Sequence, residues 1–275
     1  MRANDPVRTK DDVATAFDGK AGRYRDERER EYGFMVQRRL VLDMIAGRGG
    51  RALEVGCGSG GIARDLVERG YAVAGIDISP AMAKTAAARI AIDSDGFAGV
   101  RVAGGRLSGE RLTGARFACA DVERLSFPDA SFDLVIGMGF LEYLPDPARS
   151  CAEIRRVLKP GGEAILTVPT SVSPSARMDR LFDALPASVK KMLLRRRELP
   201  KGDPVHRLAP WHLDRVLRDG GLCPDRSAFC HFTMFPFERV LPKASESLAR
   251  LLEPLGGNRV TGLLGKQYLV RAVAR

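Results

Sequence analysis

The sequence predicts an α/β fold: a three-layer, doubly wound sheet with helices on both faces and a helical lid insert. Three observations carry this. Short apolar segments of strand length alternate with segments whose apolar residues recur at helical spacing. A glycine cluster, Gly56-Cys57-Gly58-Ser59-Gly60-Gly61, joins the first such strand to the helix after it. An acidic residue, Asp77, closes the second strand. Alternation of this kind builds a parallel sheet whose crossover helices cover both faces.

In chain order, residues 1–12 are polar, and residues 13–32 read as helical and strongly charged. Met35, Val36, Leu40, Met44 and Ile45 recur near helical spacing and predict an amphipathic helix that stops at Gly47, Gly49 and Gly50. Ala52–Val55 is the first strand, and Ile62–Arg69 a helix with Ile62, Leu66 and Val67 inward. Tyr71–Ile76 is the second strand. Ser79 then caps a helix opening at Pro80. Serine accepts a backbone N–H that the first turn leaves over, and proline has no N–H to leave over. Phe117–Ala120 and Phe132–Met138 are strands three and four. A helix ends over Cys151–Leu158, and Pro160-Gly161-Gly162 reads as a turn into strand five, Ala164–Val168. Leu213, Val216 and Leu217 mark a helix ending at Gly220-Gly221. A strand around Phe229–Phe235, a helix around Ala244–Leu252 and a last strand, Gln267–Val273, follow.

Two stretches break the rhythm. Residues 93–116 are glycine-rich and read as a surface loop or short hairpin. Residues 170–208 lack a strand signal but carry the helical stripe Met178, Leu181, Phe182, Leu185, followed by Val189, Met192 and Leu193. The expected organisation is a helical cap over 1–33, a ligand-binding sheet domain over 34–170, a helical lid or substrate insert over 171–208, and a C-terminal completion of the sheet with a helical insert over 209–275.

Composition narrows the function classes. An apolar fraction of 45% in 275 residues is enough to bury a core. No apolar run reaches the roughly 20 residues of a membrane span, and the charged N-terminus has no apolar stretch behind it, so neither a span nor a secretory signal is expected. The five cysteines, Cys57, Cys119, Cys151, Cys223 and Cys230, are odd in number and show no C-x-x-C spacing. Free thiols in a reducing, cytoplasmic compartment are expected, and no metal site. The net charge of +10 could attract nucleic acid, anionic lipid or an acidic small molecule, or serve solubility alone.

The glycine cluster satisfies G-x-G-x-x-G at Gly56, Gly58 and Gly61, with Asp77 ending the next strand. That is also the dinucleotide fingerprint, so the loop alone does not separate a nicotinamide enzyme from other nucleotide binders. The shared physics is plain. Glycines let backbone approach a ligand, and a carboxylate at the tip of strand two can accept both ribose hydroxyls.

The remaining motifs separate the two. The loop in full is E-x-G-x-G-x-G, with Glu54, Gly56, Gly58 and Gly60. Ala120-Asp121-Val122 ends strand three. Leu125-Ser126-Phe127-Pro128-Asp129, Ser131-Phe132-Asp133-Leu134-Val135 and Arg156-Val157-Leu158-Lys159-Pro160-Gly161-Gly162 follow. In order and spacing this set resembles the class I, Rossmann-like S-adenosylmethionine-dependent methyltransferases, methyltransferase type 11. The branch it resembles most includes the ubiquinone and menaquinone C-methyltransferases and many small-molecule O- and N-methyltransferases. The likeness covers roughly residues 34–170 and, more loosely, the last strand.

The resemblance implies a seven-stranded sheet whose last strand is antiparallel and inserted between the fifth and sixth. It implies S-adenosyl-L-methionine as cofactor. Gly56, Gly58 and Gly60 would then pass under its methionine part, with Glu54 orienting the ammonium. Asp77 would hold the ribose, and Asp121 would accept from the adenine amino group beside the Val122 N–H. Ile78 and Met82 would pack near adenine or ribose, and Met138 and Gly139 would line the path to the sulfonium. Asp133 and Pro160 read as structural, and Cys57 as a small filler.

Methyl transfer from a sulfonium needs a nucleophile held in line and water excluded; many such enzymes add a general base. The sequence names that base poorly. After strand four the family often has L-E-H, whereas this chain has Leu141-Glu142-Tyr143. Tyr143 either replaces the histidine or only packs. His206, His231 and Tyr24 are further candidates, Tyr24 as an aromatic over the cofactor.

Between Ser171 and Lys201 there are eight basic and three acidic residues, half of the net charge of +10. Beside an apolar stripe, these suit a helix on an anionic membrane or a lid with a solvated cationic face. The expected acceptor is a small molecule (lipid, quinone or natural product) reached beneath this insert. An RNA methyltransferase is an alternative resting on charge, but no RNA-binding module is visible, which argues against a nucleic-acid partner. A non-enzymatic cofactor-binding partner protein is a third reading.

Overall fold

The computed structural model describes residues 9–28, 31–93, 114–184, 186, 206–233 and 241–275. Among these, seven strands form one sheet in the order β3-β2-β1-β4-β5-β7-β6. They are β1 (Gly50–Val55), β2 (Tyr71–Asp77), β3 (Ala115–Cys119), β4 (Phe132–Met138), β5 (Leu158–Pro169), β6 (Leu222–Cys230) and β7 (Gln267–Ala274). β1 to β5 pair in parallel. β7 lies between β5 and β6 and runs antiparallel to both. This is the expected three-layer Rossmann-like sheet.

Strand alternation sends side chains to opposite faces, and each face has its own core. From β1, Leu53 and Val55 join β2's Ala74 and Ile76 beneath Cys151, Ile154 and Val157 of α6 (Pro147–Val157) and Leu213 and Leu217 of α8 (Pro210–Asp219). On the other face, Ala52, Val73, Leu134 and Ile136 meet three helices: α3 (Tyr32–Met44), α4 (Ala63–Glu68) and α5 (Pro80–Asp93). Ser79 caps α5 as expected: its Oγ accepts the Met82 N–H at 3.1 Å.

Several boundaries differ from expectation. The charged N-terminal stretch is two helices, α1 (Lys10–Asp18) and α2 (Ala21–Arg28), because the chain turns at Gly19-Lys20. Both pack against α5. In α3, Met35 is 46% exposed and Gln37 only 3%, so the inward face is Val36, Gln37, Val41 and Met44.

Pro160-Gly161-Gly162 is not a turn before the fifth strand but an irregularity inside it. Phe132 pairs with Leu158 and Leu134 with Glu163. Gly161 takes φ +77, the left-handed region glycine tolerates. Asp133 closes this corner, accepting from Lys159 Nζ at 2.7 Å and from the Arg51 N–H at 2.8 Å. β6 begins seven residues before the predicted Phe229 and ends at Cys230. Its Pro224, Asp225 and Arg226 conceal it in the sequence, and an edge strand tolerates both proline and charge. Asp225 pairs with Arg271 on β7.

After β5 comes α7 (Pro174–Ala184), and between β6 and β7 lie α9 (Pro242–Leu252) and the short α10 (Arg259–Gly262). No helix among the described residues is long and apolar enough to cross a membrane. Most of the 93–116 stretch, the Val189, Met192 and Leu193 stripe, the basic residues from Lys190 to Lys201, and Phe235 lie outside the described residues.

Candidate functional site

The carboxyl ends of β1, β2, β3 and β4 open into a cavity of about 730 Å³, counting its solvent-facing mouth. The loop after β1 forms its floor. Cys57 N–H donates to the Ile76 carbonyl at 2.9 Å and Gly60 N–H to the Cys57 carbonyl at 2.8 Å, so the loop is folded back onto β2. Gly56 and Gly58 line the cavity at φ +64 and +51. A Cβ on Gly56 would sit 3.0 Å from Phe140 Cβ, and one on Gly58 3.3 Å from the Tyr24 ring. Side chains at either position would fill the cradle.

Asp77, at the tip of β2, is buried and lines the same cavity. It accepts the Gly58 N–H on Oδ2 and the Ser79 N–H on Oδ1, both at 2.9 Å. Desolvation nonetheless raises its pKa from the ordinary value. Ile78, Asp121, Val122 and Met138 line the cavity as well, as does Gly139. The 125–129 segment behind Asp121 is fixed by Arg156. Its guanidinium donates to the Leu125 and Phe127 carbonyls and pairs with Glu153 and Asp129.

Three of the expected cofactor residues sit elsewhere. Gly60 faces the core, where a Cβ would meet Ala86 at 3.2 Å. Met82, in the first turn of α5, is fully buried. Glu54 lies behind the loop, 5% exposed, where the Ile62 and Ala63 backbone N–H groups donate to it. Burial outweighs those bonds and pushes its pKa up to about 8.

A second cavity adjoins the first. Phe17, Tyr24, Met138, Gly139 and Tyr143 line both. The second is completed by Lys20, Phe34, Gln37, Glu142 and Gln267. Gln37 donates to Thr167 Oγ1 at 2.7 Å, and the same oxygen accepts the Gly139 N–H at 3.2 Å. This chain of bonds sets the wall between the cavities. Phe17 meets Tyr143 edge-on, ring centres 5.2 Å apart.

Of the four base candidates, Tyr24 and Tyr143 reach the cavities. His206 is exposed and donates its backbone N–H to the Glu142 carbonyl at 2.7 Å. His231 packs against Gly33, where a Cβ would fall 2.4 Å from its Nε2. Neither histidine is among the residues lining the cavities. Lys10, Val13 and Phe17 from α1, with Gln37, Glu142 and Gln267, are among the lining residues to which sequence reasoning gave no role. A glutamine within the apolar stripe of α3 was the one available signal.

The described residues contain no group of three or more His, Cys, Asp or Glu arranged to hold a metal ion. The cysteines are free, and burial pushes the Cys57 thiol well above its ordinary value.

A mainly parallel sheet with a glycine loop, a strand-two acid and a cleft at the strand tips is the arrangement in which doubly wound α/β proteins bind their ligands. A family profile described as a methyltransferase domain matches residues 53–166. The ubiquinone biosynthesis O-methyltransferase of Alkalilimnicola ehrlichii is 32% identical over 220 residues, 77% of this chain and 78% of that protein. This chain belongs to the S-adenosylmethionine-dependent methyltransferases. The phosphatidylethanolamine N-methyltransferase of Cereibacter sphaeroides is 33% identical over 129 residues, 47% of this chain and 55% of that protein. The chain spans still less, 29% and 30%, of two further curated relatives. The magnesium protoporphyrin IX methyltransferase of Synechocystis, solved with bound SAH, superposes with a TM-score of 0.62 at 13% identity, covering 97% of this chain and 99% of that chain; this shows the fold.

Proposed function

We propose that this chain transfers the methyl group of S-adenosyl-L-methionine to a small molecule whose reacting end is polar. The observation that carries it is the pair of adjoining cavities meeting at Met138 and Gly139. One has the character of a nucleotide site, the other of an acceptor chamber.

The residues present fit the cofactor. The cradle of Gly56 and Gly58 leaves room for its methionine part. Asp77 keeps lone pairs beyond those given to Gly58 and Ser79, enough for ribose hydroxyls. Asp121 and the Val122 N–H suit an adenine edge. When bound, the cofactor supplies an already activated methyl group on its sulfonium. This chain then has to hold the nucleophile in line and exclude water. Tyr24 and Phe17 roof the junction between the cavities, and Tyr143 offers a hydroxyl there. A proton lost by the acceptor has the Glu142 carboxylate as its candidate receiver, with Tyr143 as a hydrogen-bond partner that orients the nucleophile.

The polar lining of the second chamber, Lys20, Gln37, Glu142 and Gln267 among aromatic rings, favours an acceptor head bearing hydroxyl, carboxyl or amine groups. The relatives' names point to ubiquinone biosynthesis and to phosphatidylethanolamine; here they support the class of acceptor only. Among the described residues, α7 contributes nothing to either cavity, so the support for a lid comes from α1 and α2.

Incubation with S-adenosylmethionine carrying a labelled methyl group and a panel of phenols, hydroxybenzoates, amines and apolar quinols tests the reading. Label is expected on polar-headed small molecules. Binding of cofactor without transfer to any of them would overturn the acceptor assignment.

A further inference from the structure

We propose that the Lys10 ammonium and the adenine amino group are alternative donors to Asp121, so that cofactor exchange requires Lys10 to leave that carboxylate. The proposal rests on the reading of the first cavity as the cofactor site. Lys10 lines that cavity, and its Nζ lies 2.5 Å from Asp121 Oδ2. It also pairs with Glu123. The other oxygen of Asp121 accepts the Glu123 N–H at 3.0 Å, so each oxygen already holds one donor, and the Lys10 side chain occupies the cavity wall beside Oδ2.

The contact is not needed to form α1. Thr9 caps that helix through a reciprocal box: Thr9 Oγ1 accepts the Asp12 N–H at 3.2 Å, and Asp12 Oδ2 accepts the Thr9 N–H at 2.8 Å. A cation at the first helical position runs against the helix dipole, so Lys10 gains from an outside carboxylate and not from its own helix. The far end of α1 is held separately. Asp18 Oδ1 accepts from Ser79 Oγ at 2.5 Å and from the Ala81 N–H at 3.1 Å. Helix α1 is therefore pinned at Ser79 through its last residue and latched at Asp121 through its first. Releasing Lys10 frees one end while the other stays docked. Both latch partners are more than a third exposed, 39% and 35%, so the pair is within reach of salt screening.

Titration calorimetry with S-adenosylhomocysteine, which carries no net charge, tests this at 50 and 500 mM salt. The wild type is expected to bind more tightly at high salt, because screening weakens the contact that binding must break. Lys10→Met should bind about two- to fivefold tighter at low salt and lose the salt dependence. Glu123→Gln, which does not line the cavity, should shift affinity in the same direction by less. Weaker binding by Lys10→Met would make Lys10 part of the adenine site and overturn the proposal. So would an unchanged salt response. No binding by the wild type at all would instead remove the cofactor-site reading itself.

Discussion

Gln37 and Thr167, 130 residues apart, are joined by a 2.7 Å hydrogen bond from the glutamine amide to the threonine hydroxyl, and both side chains are buried. The same hydroxyl accepts the Gly139 N–H, so one oxygen ties α3, β5 and the loop after β4 at the junction of the cavities. Thr167→Val keeps the shape and leaves the buried Gln37 amide and the part-buried Gly139 N–H unmet. It should cost about 2–3 kcal/mol in urea denaturation, since a stranded donor costs about 1–3 kcal/mol. Gln37→Leu removes one donor while Thr167 Oγ1 still accepts the Gly139 N–H, and should cost less. A loss below about 0.5 kcal/mol for Thr167→Val would show the bonds to be incidental.

Cofactor affinity should depend on the loop and on the β2 acid. Gly58 holds φ +51 beneath the Tyr24 ring, so Gly58→Val meets both backbone strain and a filled cradle. Asp77→Ala would drop charge-assisted bonds to ribose worth at most about 1.5–3 kcal/mol each, a loss of tenfold or more. Calorimetry with S-adenosylhomocysteine reads both. A thermal shift with that ligand and none with NAD is expected of the wild type, and the reverse pattern would refute the cofactor assignment.

Stability should fall as pH rises through the range where Glu54 differs between states. Its carboxyl is lifted by burial from the ordinary 4.5 to about 8 in the folded protein. Between those values the folded protein keeps a proton that the unfolded chain has released. The contribution is therefore full below about pH 4.5 and lost towards pH 8. Glu54→Gln imitates the protonated form and can still accept from Ile62 and Ala63. It should barely change stability at pH 5 and raise it at pH 8, with a slope of order 1.4 kcal/mol per pH unit as an upper bound. Equal shifts at both pH values in urea titrations would contradict this.

The cationic run Lys190, Lys191, Arg195, Arg196 and Arg197 is tested by replacing all five with glutamine. Attraction to an anionic bilayer is worth on the order of 1 kcal/mol per charge near the surface. Loss of liposome binding with turnover of a soluble acceptor intact would mark a membrane device. Lost turnover with cofactor binding intact would mark a substrate lid. No change in either assay would leave a solvated surface and end the membrane proposal.

Much of this protein was legible from local patterns. The alternation of apolar segments, the Ser79-Pro80 helix start and the run from Glu54 to Asp77 each announce themselves within a few residues, because strand pairing faces and helix caps are set by short-range chemistry. The exact reach of β4, Phe132–Met138, follows from its apolar character, which Asp133 alone breaks with a charge. Edge strand β6 was harder to read, since exposure on one side admits Pro224, Asp225 and Arg226 where a central strand would not.

The sequence by itself therefore determined the sheet, the glycine loop and the strand-two acid. Only the tertiary structure decided what closes over them. Lys10 meets Asp121 across 111 residues and Gln37 meets Thr167 across 130. Contacts at such separations leave no periodic trace along the chain. They arise where α1 and α3 dock on the strand tips, and that docking follows from the packing of whole elements: α1 against α5, and the buried face of α3 against the sheet. For the same reason Tyr24 and Tyr143 come to the cavities while His206 and His231 do not. A side chain's chemistry is written in the sequence, but which cavity it faces is set by how the layers pack.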